Sequence, residues 1–362
     1  MSSSARPTIP PDVRARQIDA FLGAHFWADA ARTQIGLAWS HRKYWRLASS
    51  DGSTAVLMDA PPGLEDTRPF VALDRHLSSL GFSVPGLIAV DVADGLLLLE
   101  DFGDDTFLDL LAREGADEAA LYAAAVDVLA DLRHAPLPKP ATLPDGSVFA
   151  PPIFDAATFV AGPDLVLDWY VPAVLGHAAP EAWRQSFRAA WTLVEPLARG
   201  DATTLMLRDY HVLNLMWLPE RTGTARVGLL DFQDASPGPA AYDLVSLLQD
   251  IRRDVSPELE AAMRQRYASA ARASGTFDEA AFDTAYAVLG AQRNARIAGL
   301  VFRKFASEPR DYFLDFLPRL WRHLEADLAH PALAPVRQWF DAHLPGDALR
   351  GAWRRPEGKS LA

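Results

Sequence analysis

The apolar positions of this chain switch between two periods. Over Asp12 to Phe26, Ile18, Phe21, Leu22 and Phe26 recur on one side at helical spacing, so an amphipathic helix is expected to open the fold. Short β-prone runs separated by polar turns follow at Thr33 to Leu37, Tyr44 to Leu47 and Thr54 to Met58, and a helix is expected over Arg68 to Leu80. Leu87 to Val90 and Leu96 to Glu100 supply two more strands. Beyond residue 118 the period becomes mainly helical, with helices expected over Ala119–Arg133, Leu165–Leu175, Glu181–Ala198, Leu244–Arg252, Pro257–Ala273, Phe282–Lys304 and Tyr312–Leu328. The stretch His134 to Pro152 carries six prolines and reads as an extended connection.

One stretch departs from simple periodicity. Leu215–Leu218 and Arg226–Leu230 are apolar runs around a loop with Pro, Gly and charges, which predicts an antiparallel hairpin. Such a hairpin brings its outer ends together. Asn214 precedes the first strand and Asp231 follows the second, so an amide oxygen and a carboxylate seventeen residues apart meet. Hard oxygen donors in that number suit magnesium, which takes one or two ligands from protein and the rest from water and phosphates. Asp209, five residues before Asn214, stands where a carboxylate could accept the proton of a hydroxyl attacking phosphorus.

The spacing Asp209-x4-Asn214 followed by Leu229-Leu230-Asp231-Phe232 resembles the signature of the aminoglycoside phosphotransferase and choline kinase superfamily, relatives of the protein kinases. The resemblance implies ATP and Mg2+ as cofactors, Asp209 as catalytic base, and Asn214 and Asp231 as metal ligands. It also implies an α+β, bilobal protein-kinase-like fold, with a small antiparallel-sheet lobe over 1–101, a larger mainly helical lobe over 102–349 and a tail over 350–362. Glu100-Asp101-Phe102-Gly103 corresponds to the hinge whose backbone binds adenine. The segment Pro239-Ala240-Ala241-Tyr242-Asp243-Leu244 is similar to one that begins a helix behind the catalytic loop, where Asp243 reads either as a hydrogen-bond partner of the loop or as a first-turn acid.

Two departures from the family pattern stand out. Leu207 occupies the position of a loop-ordering His, so the hydrogen bonds that His makes must come from elsewhere. The third strand, Thr54 to Asp59, has no Lys for the phosphates, and Phe70 falls where the partner acid is expected. Arg42, Lys43 and Arg46, in or near the turn Ser40 to Tyr44, are the candidate phosphate cations, since phosphoryl transfer needs positive charge facing the nucleotide. His211, Gln233 and Asp234 flank the two carboxylates and are the substrate-side candidates. Trp169, Tyr170, Trp217 and Trp321 suit stacking on a sugar, although tryptophans at helical spacing more commonly build the core.

The runs Met58–Pro62, Leu98–Gly103, Arg208–Met216 and Leu230–Ala235 together resemble the anomeric amino-sugar kinases of bacterial cell-wall recycling, which phosphorylate the anomeric hydroxyl of N-acetylmuramate and N-acetylglucosamine. Within that group the missing Lys is a subfamily trait. The residues leave open another acceptor, such as an aminoglycoside, choline or homoserine, or a relative that binds ligand without turnover.

Composition narrows the partners. A chain of 362 residues with 49% hydrophobic content can bury a large core. Its formal charge of −12 provides no broad basic field for nucleic acid. The absence of cysteine excludes disulfides and thiolate zinc sites. With no apolar stretch of spanning length and no signal-peptide pattern, the expectation is a soluble, cytoplasmic protein acting on a small-molecule sugar, with no nucleic-acid or membrane partner. No protein partner can be inferred.

Overall fold

The computed structural model describes residues 9–36, 41–308 and 311–354. Leu37 of the first expected strand, Ser40 of the basic turn and residues 355–362 of the tail therefore lie outside the described residues. The chain forms two compact units, one made of Met1–Glu118, Pro138–Pro151 and Leu213–Ala235, the other of Ala119–Leu137, Pro152–Val212 and Ser236–Ala362.

The first unit is built on a five-stranded sheet of β1 (Ala31–Ile35), β2 (Lys43–Ala48), β3 (Thr54–Asp59), β4 (Leu87–Asp91) and β5 (Leu96–Leu99), in the order β1-β2-β3-β5-β4. Every neighbouring pair is antiparallel. The all-leucine β5 is buried along its length, as an inner strand covered on both faces must be. Helix α1 (Pro11–Ala24) lays Ile18, Phe21 and Leu22 on the face formed by Leu47, Ala55, Leu57, Ala89, Leu96 and Leu98. Helix α2 (Arg68–Ser79) follows β3 and buries Phe70, Val71, Leu73, Asp74 and Leu77.

Phe26 does not join the helical stripe. The helix stops at Ala24, Phe26 takes a left-handed conformation (φ 66°) with 96% of its surface exposed, and Trp27 packs on the core in its place. Periodicity alone carried the pattern one turn too far.

A buried ion pair ties α1 to β3. Arg14 Nε donates to Asp59 Oδ1 at 2.8 Å, and its Nη1 donates to the Asp94 carbonyl at 2.6 Å, while both side chains are almost wholly removed from solvent. Their pairing is not legible in the sequence, because charges are ordinarily left in water.

The hairpin forms as expected, with Leu215–Trp217 antiparallel to Val227–Leu229 and Leu215 opposite Leu229. Although expected within the larger lobe, Leu213–Ala235 clusters with the first unit. Leu229 N donates to the Ser83 carbonyl at 2.7 Å, Ser83 Oγ to the Ala225 carbonyl at 2.6 Å, and Trp217 N to the Asp105 carbonyl at 2.9 Å. Gly228 lets the hairpin pack closely, since a Cβ there would stand 2.9 Å from the Phe102 ring.

The second unit is mainly helical. Its longest helix, Glu279–Ser307, begins three residues before the apolar pattern because Asp278 caps it, accepting from Ala281 N at 3.0 Å. Prolines decide other boundaries by removing backbone donors. Val166–Tyr170 is a π-turn leading into Val171–Leu175, which carries Pro172, and Glu181–Val194 gives way to a 3₁₀ segment at Glu195–Arg199, which contains Pro196. The α-helix expected from Tyr312 begins at Leu317 beside Pro318. The helix after residue 241 runs from Tyr242 to Leu248, and Asp250 then turns back to accept from Arg252 N at 3.0 Å. One pairing escaped sequence reading: Thr203–Met206 lies antiparallel to Ser236–Pro239, whose two prolines disguise a strand. Tyr170 and Trp321 are core residues, their rings 5.3 Å apart, with Tyr170 Oη donating to the Leu349 carbonyl.

Replacing Arg14 with Met should destabilise the chain by about 3 kcal/mol or more, because Asp59 is left buried without its partner. Arg14→Met combined with Asp59→Asn should recover most of that loss. Urea unfolding of the three proteins measures both changes, and a single-variant loss within about 1 kcal/mol would show the pair to be dispensable.

Candidate active site

The first unit carries most of the candidate residues. Asn214 and Asp231 come to the same end of the hairpin, where Leu230 N donates to the Asn214 carbonyl at 2.9 Å. Asp231 takes a left-handed φ of 56°, which Asp tolerates better than branched residues do. Gln233 Nε2 donates to Asp231 Oδ1 at 2.8 Å, and Arg42 Nη1 stands 3.9 Å from the same oxygen. Both contacts fall on Oδ1, leaving Oδ2 without a protein partner among the described residues, on a side chain that is 44% exposed.

Arg42 is the cation of the basic turn that faces this end of the hairpin. Its Nε lies 3.3 Å from Glu65, whose carboxylate also accepts from His41 N at 2.8 Å. Burial works against its charge, but the fields of Tyr44, Asp231, Glu65 and Asp234 outweigh burial and raise its pKa. Burial pushes the neighbouring Tyr44 hydroxyl up to about 12, against the opposing pull of Arg42.

The other basic candidates go elsewhere. Arg46 clamps the segment after β5, bonding Asp101 at 2.8 and 3.0 Å, Asp104 at 2.7 Å and the Gly103 carbonyl at 2.9 Å. Strand alternation turns Lys43 to the face of Trp45 and Leu47, which pack with α1, and away from Tyr44 and Arg46. In the hinge segment, Glu100 pairs with Arg221 at 2.5 Å, and the Arg221 guanidinium lies over the Phe102 ring, 5.0 Å from its centroid. The side chains of Glu100, Asp101 and Phe102 are thus occupied within the protein.

Asp231 is followed by Phe232, whose ring packs against Phe70 of α2 at 4.8 Å between centroids. One turn beyond Phe70 sits an acid that the sequence reading passed over. Asp74 is 3% exposed, its Oδ2 is buried without a hydrogen-bond partner, and burial pushes its carboxyl up to about 7, with Glu100 adding and Arg75 opposing. The detectable signal was a lone acid inside an apolar helical stripe.

The second unit carries Asp209 and His211. Asp209 is half-buried on the loop after Thr203–Met206, and its N donates to the Leu207 carbonyl at 2.9 Å. The loop is ordered from behind. Leu207 N and Arg208 N both donate to the Asp243 carboxylate, at 2.5 and 2.8 Å, and Ser246 Oγ donates to the Arg208 carbonyl at 3.3 Å. These bonds supply what the absent His at position 207 cannot. Arg208 pays for the turn with a left-handed φ of 71°. Asp243 is both first-turn acid and loop partner; burial pushes its carboxyl up to about 7, the two backbone donors oppose, and the charge of Asp209 adds to the rise.

His211 is buried, and its pKa is pushed down to about 3 by burial and by the charge of Arg252, with Asp250 opposing and Arg293 adding. It is therefore a neutral imidazole at physiological pH. Gln233 serves the Asp231 carboxylate, and Asp234 is exposed within the field of Arg42. These three substrate-side candidates thus divide between the units, His211 in the second and Gln233 with Asp234 in the first.

Among the described residues no group of three or more His, Cys, Asp or Glu side chains could hold a metal ion. One carboxylate with a free oxygen beside one amide fits magnesium, which relies on phosphates and water for its remaining ligands. Among the described residues no helix is long and apolar enough to cross a membrane.

Residues 32–282 match the phosphotransferase enzyme family, and the chain belongs to that family, with its protein-kinase-like α+β fold. It is similar to the N-acetylmuramate/N-acetylglucosamine kinase of Caulobacter vibrioides, 38% identical over 358 residues that cover 91% of this chain and 97% of that protein. The kinase of the same name from Pseudomonas putida is 30% identical over 342 residues, covering 90% of this chain and 95% of that one. Among solved structures, the ethanolamine kinase of Plasmodium vivax shares the fold with a TM-score of 0.58 at 13% identity, covering 90% of each chain.

A pH test follows from Asp74. Folded, it keeps its proton up to about pH 7, whereas the unfolded chain releases it near 3.8, so its stabilising contribution is full below the lower value and lost as pH rises through the upper. Asp74→Asn cannot ionise. Its melting temperature should gain on the wild type from about pH 4 to about pH 7 and then keep a constant lead; a difference independent of pH would exclude the titration.

Proposed function

We propose that this protein is an ATP- and Mg2+-dependent kinase that phosphorylates the anomeric hydroxyl of an N-acetylated amino sugar, N-acetylmuramate or N-acetylglucosamine, in cytoplasmic recycling of cell-wall fragments. The observation that carries the reading is the hairpin register, which sets the Asn214 amide and the Asp231 carboxylate at one end of two paired strands, five residues along the chain from Asp209. The identity shared with kinases of these two sugars over nearly the whole chain supports the choice of acceptor.

Asp209 receives the sugar hydroxyl as a hydrogen-bond donor, orients it toward the γ-phosphorus and accepts its proton as the new P–O bond forms and the bond from the γ-phosphorus to the β-phosphate oxygen breaks, releasing ADP. Asp243 keeps the loop amides turned inward, so that Asp209 meets the acceptor in one geometry. Asn214 and Asp231 would hold magnesium, which would supply positive charge to offset that of the phosphates. Gln233 fixes the Asp231 carboxylate, and Arg42 places positive charge beside it. In this scheme the segment Glu100–Gly103 offers backbone groups to adenine. Phosphate passes directly between substrates, with no phosphoenzyme.

Replacing Asp209 with Asn should lower turnover by about 10²- to 10⁴-fold while leaving ATP binding nearly unchanged. The acceptor is tested by incubating the protein with magnesium, ATP and a panel of N-acetylated sugars, aminoglycosides and small alcohols, and reading products by mass spectrometry. Sugar 1-phosphates are expected from the two N-acetylated sugars. Phosphorylation confined to an aminoglycoside or an alcohol would overturn the reading.

A further inference from the structure

Midway along the Glu279–Ser307 helix, Arg293 is only 4% exposed, and its Nη1 is buried without a hydrogen-bond partner. Among the described residues no carboxylate stands within ion-pair distance of it. An unpaired guanidinium inside a protein is costly, because the water it gave up has not been replaced. Two other polar atoms around it are equally unfilled. Asp250 Oδ1 accepts from Arg252 Nη1 at 3.1 Å while its Oδ2 has no hydrogen-bond partner, and His323 Nε2 has none either.

The fields of these groups reach the loop that bears Asp209 in the same unit. The charges that act on Arg293 are those of Tyr242, Asp250, Asp209 and Arg252, and it acts in turn on His211, Asp243 and His323. Burial lowers its pKa, yet a guanidinium stays protonated at any physiological pH. Burial likewise pushes His323 down to about 4, helped by Arg322, Arg293 and Arg319, so the imidazole is a neutral hydrogen-bonding group. Of the two acids whose charges act on Arg293, Asp250 is engaged by Arg252 and Asp209 is the proposed catalytic base.

We infer that Arg293 is the specificity residue for an acidic acceptor: its unfilled guanidinium edge receives the carboxylate of the lactyl group of N-acetylmuramate, a group that N-acetylglucosamine lacks. The inference rests on the function proposed above and assigns a residue to one substituent of the substrate. A planar guanidinium matches a carboxylate in two parallel hydrogen bonds, and burial strengthens that match. The neutral sugar leaves Arg293 as it is now, so it should be used less efficiently than the acidic one.

The test compares KM and kcat for both sugars in the wild type, Arg293→Gln and Arg293→Lys, together with the methyl ester of N-acetylmuramate, which keeps the shape but loses the charge. Arg293→Gln should raise the KM for N-acetylmuramate at least about tenfold relative to that for N-acetylglucosamine, as expected for loss of one charge-assisted pair. Arg293→Lys should fall between the two. With the wild type, the ester should suffer a similar rise in KM, and this arm stands even if the Gln variant does not fold. An unchanged KM ratio, or an equal fall in kcat for both sugars with a shifted pH profile, would overturn the inference and make Arg293 a positioning residue for Asp209. Transfer to neither sugar by the wild type would instead refute the proposed function itself.

Discussion

The antiparallel pairing of Leu215–Trp217 with Val227–Leu229 is the constraint on which the candidate chemistry depends. A side chain on a strand has no freedom to choose its face, and a slip of one residue would send every neighbour to the opposite side. Here the register is held by more than the two strands. Ser83 takes hold of Leu229 and Ala225, Asp105 accepts from Trp217, and Gly228 admits the Phe102 ring. Each of these contacts would be lost by a shifted pairing, so the meeting of Asn214 with Asp231 is enforced from several directions.

Both units use buried carboxylates, in different ways. Asp59 is neutralised by Arg14 and acts as a staple between helix and strand. Asp243 is satisfied by two backbone amides of the loop that bears Asp209, and so converts a burial penalty into loop order. Asp74 has no such partner, and it keeps its proton to an unusually high pH. The same side chain therefore serves as ion-pair partner, loop anchor or neutral acid according to what surrounds it.

The departures from the kinase pattern acquire a physical meaning in this light. Leu207 leaves the catalytic loop without a histidine, and Asp243 with Ser246 takes over its ordering from the following helix. β3 has no lysine, and the turn before β2 brings Arg42 toward the metal-ligand candidate Asp231. Of the three basic residues that composition alone made equivalent, only Arg42 stands beside Asp231, because alternation points Lys43 to the α1 face and Arg46 is held by Asp101 and Asp104.

Local information in the chain determined the five strands of the sheet, the helices Pro11–Ala24 and Arg68–Ser79, most helices of the second unit and the hairpin that joins Asn214 to Asp231, but not the short helix Phe107–Leu111 of the first unit. These features arise from periodicity, turn residues and short-range pairing, which are written over a few neighbouring positions. Helix ends were legible only approximately, since caps such as Asp278 and prolines such as Pro196 move them by several residues. What tertiary structure alone decided was the company of the charged groups: Arg14 with Asp59, Arg46 with Asp101, Asp243 with the Leu207 and Arg208 amides, and Arg293 buried with its Nη1 lacking a hydrogen-bond partner among the described residues. The reason is that the cost or benefit of a charge depends on burial and on partners brought from 35 or more residues away, and neither quantity is encoded in its immediate neighbours.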